Sequence, residues 1–269
     1  MQSLFELAYA CIMASEPQRK LALTEEAAAR WSRGDCDLRP AARVQAIAVP
    51  GRPARPLLVP PSRVAKRKLS SPQGRAALLH ALAHIEFNAI NLAWDAVYRF
   101  RDMPPEFHSD WVRVACEEAQ HFAMLRTRLQ QLGHDYGDFP AHNGLWEMAC
   151  DTAHDVLVRM ALVPRVLEAR GLDVTPAMRA RLQQAQDTDS AAILARILDD
   201  EIGHVAIGSH WFRHLCRARG LEPAATFRSL LQQHFTGRIR KPLNSEARAQ
   251  AGFDREELQL LEKLAEEAT

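Results

Sequence analysis

Two stretches decide how this chain reads: Glu117-Glu118-Ala119-Gln120-His121-Phe122 and Asp199-Asp200-Glu201-Ile202-Gly203-His204-Val205. Each contains Glu-x-x-His, and residues three apart on a helix project from one face. A lone glutamate precedes each motif at nearly the same distance. Glu86 lies 32 residues before Glu118, and Glu168 lies 33 before Glu201. The chain therefore reads as two helix hairpins, each offering one lone glutamate and one Glu-x-x-His pair. That order is the ligand set of a two-metal carboxylate site inside a four-helix bundle.

A single Glu-x-x-His on a helix most often marks a solvated surface. Two of them, each with a lone glutamate at matching distance, are hard to reach by chance. Glu86, Glu118, His121, Glu168, Glu201 and His204 together supply four carboxylates and two imidazoles, which two divalent ions neutralise. Hard oxygen ligands with imidazole suit iron first and manganese as the alternative. Without ions, carboxylates crowded in a core repel and take up protons. Glu117 and Asp200 each stand four residues before the histidine of their motif. A carboxylate there can accept the second imidazole N–H and fix its tautomer, so both are expected in the outer shell of the site.

The neighbourhood of Glu168 agrees with an inward face. Leu157, Ala161 and Pro164 fall on nearly the same helical stripe, and Pro164 removes a backbone hydrogen bond one turn earlier, where a kink is expected. Gly203 and Gly208 flank His204 and would allow close helix approach or a local bulge. His80 and His84 share a helix with Glu86, and the plainer reading makes them satisfied core groups. His154 reads as a core or rim histidine. Asp151 and Asp155 read as a polar seam or as partners of arginines, and Trp94, Trp111, Trp146 and Trp211 as packing anchors.

The remaining chain is punctuated by prolines and glycines. Residues 3 to 33 read as two helices broken near Glu16-Pro17. Residues 34 to 70 hold Pro50, Pro53, Pro56, Pro60 and Pro61, which exclude a long helix. An extended arm lying over the bundle is expected there, anchored by Leu57, Leu58 and Val59. Helix A starts with Ser71 as N-cap and Pro72 at the first position, and runs to about Arg101. Helix B follows Pro104-Pro105 and ends at Gly133. Helix C is expected from about Gly144 to Arg170, closed by Gly171, with Thr175-Pro176 opening a short connecting helix. Helix D runs from near Asp187 to about Arg219. A further helix covers roughly 222 to 234, residues 235 to 250 read as basic and irregular, and a last helix covers roughly 254 to 267. No strand pattern appears, so the expected class is all-α. The divisions are 1–70 for the N-terminal helices and arm, 71–220 for the bundle, and 221–269 for a C-terminal helical extension.

Bulk properties narrow the function. The 269 residues are 47% hydrophobic and 25% charged, an ordinary globular balance, and the net charge of +1 draws the protein globally to neither nucleic acid nor membrane. Leu4 to Ala14 carries Glu6 and no basic leader, and reads as an amphipathic helix instead of a signal peptide. No apolar run is long enough to span a bilayer. The five cysteines, Cys11, Cys36, Cys116, Cys150 and Cys216, are odd in number and form no C-x-x-C. A disulfide framework or cysteine zinc site is not expected, and a reducing cytoplasm fits. There is no G-x-G-x-x-G and no Walker-type loop.

Ala83-His84-Ile85-Glu86-Phe87, residues 117–122, Leu132-Gly133-His134-Asp135-Tyr136-Gly137-Asp138 and residues 199–205 together resemble the DUF455 family of ferritin-like bacterial proteins. The likeness extends to the Pro-rich arm and the basic tail. It implies a ferritin-like four-helix bundle carrying N-terminal helices, the arm and extra C-terminal helices, with a di-metal site. The metal motifs are shared by the whole ferritin-like superfamily; the Leu-Gly-x-x-Tyr-Gly-Asp loop is more particular.

The leading expectation is a di-iron or di-manganese oxidoreductase that activates O₂ and hydroxylates an unidentified substrate, with an unknown electron donor. Storage ferritins resemble the chain less, since they usually lack the second Glu-x-x-His histidine. Radical-generating reductase subunits place a tyrosine one turn after the first motif histidine, where this chain has Leu125. A non-catalytic or ferroxidase-like metal protein is the alternative. By analogy with a tRNA-modifying di-iron hydroxylase of the same superfamily, an RNA-modifying hydroxylase is a further one. Arg63, Lys66, Arg67 and Lys68 with Arg238, Arg240 and Lys241 would form its basic patch, although solvated loop charge is the plainer reading.

Overall fold

The structure is a computed structural model, and it describes residues 2–39, 42–64, 68–235 and 237–267. The chain divides into two compact units, Met1–Asp151 and Thr152–Thr269. Both are helical, and the all-α class holds. The exception among the described residues is a short parallel ladder in which β1 (Gln2–Ser3) pairs with β2 (Cys36–Asp37). Strands of this length carry no periodicity, so no sequence pattern announced them.

In the first unit, α1 (Leu4–Met13) begins with a capping box. Phe5 N–H donates to Ser3 Oγ and Ser3 N–H donates to Glu6 Oε2, each at 3.3 Å. Pro17 at the first position starts α2 (Pro17–Ser32), placing the break where the sequence puts it. The buried Lys20 ties the two helices together. Its ammonium donates to Cys11 O at 2.7 Å, Ile12 O at 2.9 Å and Asn91 Oδ1 at 2.6 Å, so it satisfies carbonyls at the end of α1.

The main hairpin of this unit is α3 (Pro72–Arg99) with α4 (Pro105–Gln131). Ser71 caps α3 through Gly74 N–H at 3.0 Å, and Gly133, at φ +78°, ends α4 in the left-handed region. From Phe87 to Tyr98 every residue of α3 is buried, as expected for a central helix covered by α1, α4 and α5 (Gly144–Asp151).

The Pro-rich segment is held, but not as expected. Leu57 is 69% exposed and Leu58 and Val59 are half-buried. Backbone hydrogen bonds do the holding: Val59 N–H to Ala141 O at 2.8 Å, Ala141 N–H to Leu57 O at 3.0 Å and Gly51 N–H to Ile12 O at 3.0 Å. Ile47, Pro50 and Pro56 are the buried apolar residues of the stretch 42–64, and the Ile47 carbonyl accepts from Trp146 Nε1 at 3.3 Å.

In the second unit, α6 (Val156–Leu162), a π-helical stretch (Val163–Glu168) and α7 (Ala169–Gln184) form one unbroken helical run. This corrects the expected helix from Gly144 to Arg170. α5 does start at Gly144 as expected but ends at Asp151, and a second helix opens at the Asp155 cap, whose side chain accepts from Leu157 N–H at 2.8 Å and pairs with both Arg219 Nη atoms at 2.7 Å. It passes through Gly171 and through Thr175-Pro176. Pro176 cannot donate to Leu172 O, four residues earlier, but Asn244 Nδ2 does so at 3.2 Å. A partner distant in sequence thus removes the reason to stop.

The run packs along α8 (Thr188–Ala218), which starts at the Asp187 cap as expected. α9 (Pro223–His234) and α11 (Arg255–Glu267) match the sequence reading, whereas α10 (Ser245–Gln250) is a helix within the stretch read as irregular. Asn244 caps it through Ala247 N–H at 3.2 Å, and Gly252, at φ +86°, turns the chain towards α11.

Candidate metal centre

α3 and α4 bring Glu86, Glu118 and His121 together. Each offers a ligand atom within 4.8 Å of the others'. His121 Nδ1 lies 3.2 Å from Glu118 Oε2 and 3.7 Å from Glu86 Oε2. Glu118 is fully buried, and His121 and Glu86 are 1% and 3% exposed. Burial alone would depress the imidazole pKa, but hydrogen bonds and charge from Glu118 and Glu86 outweigh it and push His121 up to about 11. A proton there does what a cation would do. Two carboxylates and a neutral imidazole balance one divalent ion, so these residues fit a metal.

The second set lies on the π-helical stretch and α8. Glu201 and His204 are buried, with His204 Nδ1 3.8 Å from Glu201 Oε2, and Glu168 is half-buried.

The backbone at Glu168 differs from an ordinary helix. Ala169 N–H reaches Pro164 O, five residues back. The expected perturbation at Pro164 therefore takes the form of a widened turn, a geometry often found at functional sites. The turn adds a residue, so the simple α-helical stripe through Leu157, Ala161, Pro164 and Glu168 does not continue unchanged. Gly208 on α8 receives the proline ring: a Cβ there would lie 2.4 Å from Pro164 Cβ and Cγ. The close approach expected of Gly208 is present, while a Cβ on Gly203 would meet nothing within 4 Å.

Of the expected outer-shell carboxylates, Glu117 is half-buried on α4, and Asp200 accepts from Arg196 Nε at 2.7 Å. His80 and His84 are core groups that fasten the 133–143 loop. Gly137 N–H donates to His80 Nε2 at 2.9 Å. Tyr136 Oη lies 2.9 Å from His84 Nδ1, and His142 O lies 3.0 Å from His84 Nε2. Asn88 Nδ2 also lies 3.1 Å from His84 Nε2. Burial pushes the Tyr136 phenol well above its ordinary range. Its ring lies 5.3 Å from Phe87 and 5.1 Å from Phe122, the neighbours in sequence of Glu86 and His121. The sequence reading singled out this loop without finding what it does; Gly137, at φ +112° beside Arg55, was the signal of a fixed turn.

His154 is an exposed rim residue, 5.7 Å from the His234 ring. The four tryptophans named above are buried anchors. Arg63, Lys68, Arg238, Arg240 and Lys241 are exposed, with Lys241 paired to Glu266 at 3.2 Å. Lys66 and Arg67 lie outside the described residues. Among the described residues no helix is long and apolar enough to cross a membrane.

A protein of Haemophilus influenzae described as "Uncharacterized protein" is 51% identical over 213 residues, which cover 77% of this chain and 74% of that protein. No solved structure matches the chain. The model of the family described as "Protein of unknown function (DUF455)" matches residues 13–259. That match takes in both helix hairpins and all six candidate ligands, and the chain belongs to the DUF455 family.

Proposed function

We propose that this protein is a di-metal carboxylate oxidoreductase, an O₂-activating hydroxylase or monooxygenase, built on a ferritin-like four-helix bundle. In this reading the two hairpins are its halves, and the two ligand sets bind two metal ions, iron before manganese. The observation that carries it is the buried Glu86, Glu118 and His121 cluster, whose residue types recur in the same order in Glu168, Glu201 and His204.

A bound redox-active pair would supply O₂ activation. The chain's contribution is to hold charge in a dry place. Phe87 and Phe122 are almost wholly buried beside the ligands and wall off water. His121 must release its proton to become a ligand, so metal uptake at neutral pH should expel protons. The half-buried Glu168, set on a widened turn, is the ligand with most room to move.

Elemental analysis of protein prepared with iron tests the reading, together with O₂ uptake by the ferrous form. About two irons per chain are expected. Glu118→Ala or Glu201→Ala should leave one ion or none while the helices persist. Two ions retained by the alanine variant of all four glutamates would remove the site. Rapid iron oxidation without added substrate, with assembly into a large oligomer, would favour a ferroxidase-like protein instead.

A further inference from the structure

The C-terminal segment makes buried polar contacts on both sides of Glu168. Three residues before it, Arg165 is fully buried and its Nη2 stands 2.6 Å from Glu257 Oε1 of α11. The guanidinium carbon lies 4.5, 4.3 and 4.5 Å from the ring centres of Phe212, Phe227 and Phe253. Arg165 Nε also donates to Ser209 Oγ at 3.2 Å. Glu257 is fixed from its own side, because its Oε2 accepts from Asp254 N–H at 3.0 Å while its N–H donates to Asp254 Oδ1 at 2.9 Å. A cation enclosed by three aromatic faces and a carboxylate has one position available to it.

Five residues after Glu168, Asp173 is paired in fork geometry with the buried Arg248 of α10. Nε to Oδ1 is 2.9 Å and Nη2 to Oδ2 is 2.8 Å. Asp173 Oδ1 also accepts from Asn244 N–H at 2.9 Å. Between the two pairs, Arg170 donates to the carbonyls of Arg240 at 2.7 Å and Pro242 at 2.9 Å. Helix packing alone does not require two buried ion pairs within nine residues of one helix; apolar side chains of similar volume are often as stable there. What the pairs supply is a fixed position for the widened turn, which lacks the regular hydrogen-bond ladder of an α-helix.

We infer that the segment from Arg240 to Glu257 positions Glu168 for metal binding. Arg165 with Glu257 sets the turn on one side, and Asp173 with Arg248 sets it on the other. All four are positioning residues that act through the backbone of the π-helical stretch. This rests on the reading of Glu168 as a ligand in the proposed function.

The test is Mn(II) titration of the full-length protein, with circular dichroism and melting curves alongside. Glu257→Gln and Arg248→Gln should each weaken one of the two Mn(II) ions roughly 10–100-fold, the size of effect seen when groups supporting a ligand are lost. The other ion should be unaffected. A merely structural role would lower the melting temperature and leave Mn(II) affinity well below melting unchanged. That result in either variant overturns the inference.

Hydrogen exchange on the wild-type chain gives a second arm that needs no variant to fold. Coupling is reciprocal, so Mn(II) should slow exchange in 163–173 and in 245–257 together. Protection of 163–173 without 245–257 would also overturn it. Glu168→Gln separates the two levels: if that variant binds both ions like the wild type, Glu168 is not a ligand, and the inference falls with the assignment it rests on.

Discussion

Adding one carbon at two positions of α8 should have opposite consequences. Gly203 and Gly208 both lie within the helix, and neither has a positive φ. Replacing glycine by alanine in a helix interior gains about 0.5–1 kcal/mol, and that gain is common to both sites. At Gly203 nothing lies within 4 Å of the new Cβ, so Gly203→Ala should stabilise. At Gly208 the new carbon would stand 2.4 Å from two atoms of the Pro164 ring. Ordinary carbon contacts are about 3.5–4.0 Å, so a gap of roughly 1 Å must open. A proline ring cannot rotate away, and Pro164 opens the widened turn that carries Glu168. The cost is that of overpacking a core, about 1–3 kcal/mol, and Gly208→Ala should lie below Gly203→Ala by that amount. In a chain of this size that separates the melting temperatures by roughly 2–12 °C, measured by circular dichroism on metal-free protein. Two variants melting within about 1 °C of each other would refute the close contact of α8 with Pro164.

Two further results should follow from the metal-free chain. Lys20→Met keeps the aliphatic stem but leaves the carbonyls of Cys11 and Ile12 and the Asn91 amide oxygen without their donor. A loss of about 2–4 kcal/mol in urea unfolding is expected, and a variant as stable as wild type would show that the ammonium is not needed to join α1 and α2. Burial lowers the pKa of His80, His84 and His108 to about 4, so over the window from 6.5 down to 4 the unfolded chain binds more protons than the folded one. The contribution of these three histidines should be complete above pH 6.5 and be lost as pH falls from 6.5 to 4, by about 1–3 kcal/mol for each. His108→Gln should flatten the profile, and a melting temperature constant from pH 6.5 to 4.5 would refute the buried neutral imidazoles.

Local rules read well wherever the deciding group is near in sequence. Ser71 with Pro72, the Glu16-Pro17 break, the Gly133 stop and the Asp187 cap each act within a few residues of themselves, and each stands where the sequence puts it. The gathering of Glu86, Glu118 and His121 was legible for the same reason, since Glu118 and His121 share one helical turn and one hairpin brings Glu86 beside them. The misreadings share a different cause. Pro176 looked like a helix start because Thr175-Pro176 matches a cap followed by a first-position proline, and the helix continues through it with Asn244 supplying the donor to Leu172 O that proline lacks. Glu168 looked like a residue on a regular stripe because periodicity assumes a constant turn, and the turn is widened at Pro164. The stretch 235–250 looked irregular because its charges suggested solvent, whereas Arg248 and the backbone at Asn244 meet a buried carboxylate, Asp173. These departures converge on one length of helix, residues 164–176. Sequence patterns name the atoms that could hold a metal, but the helix that carries Glu168 is tied at Asp173 to groups more than seventy residues further along the chain.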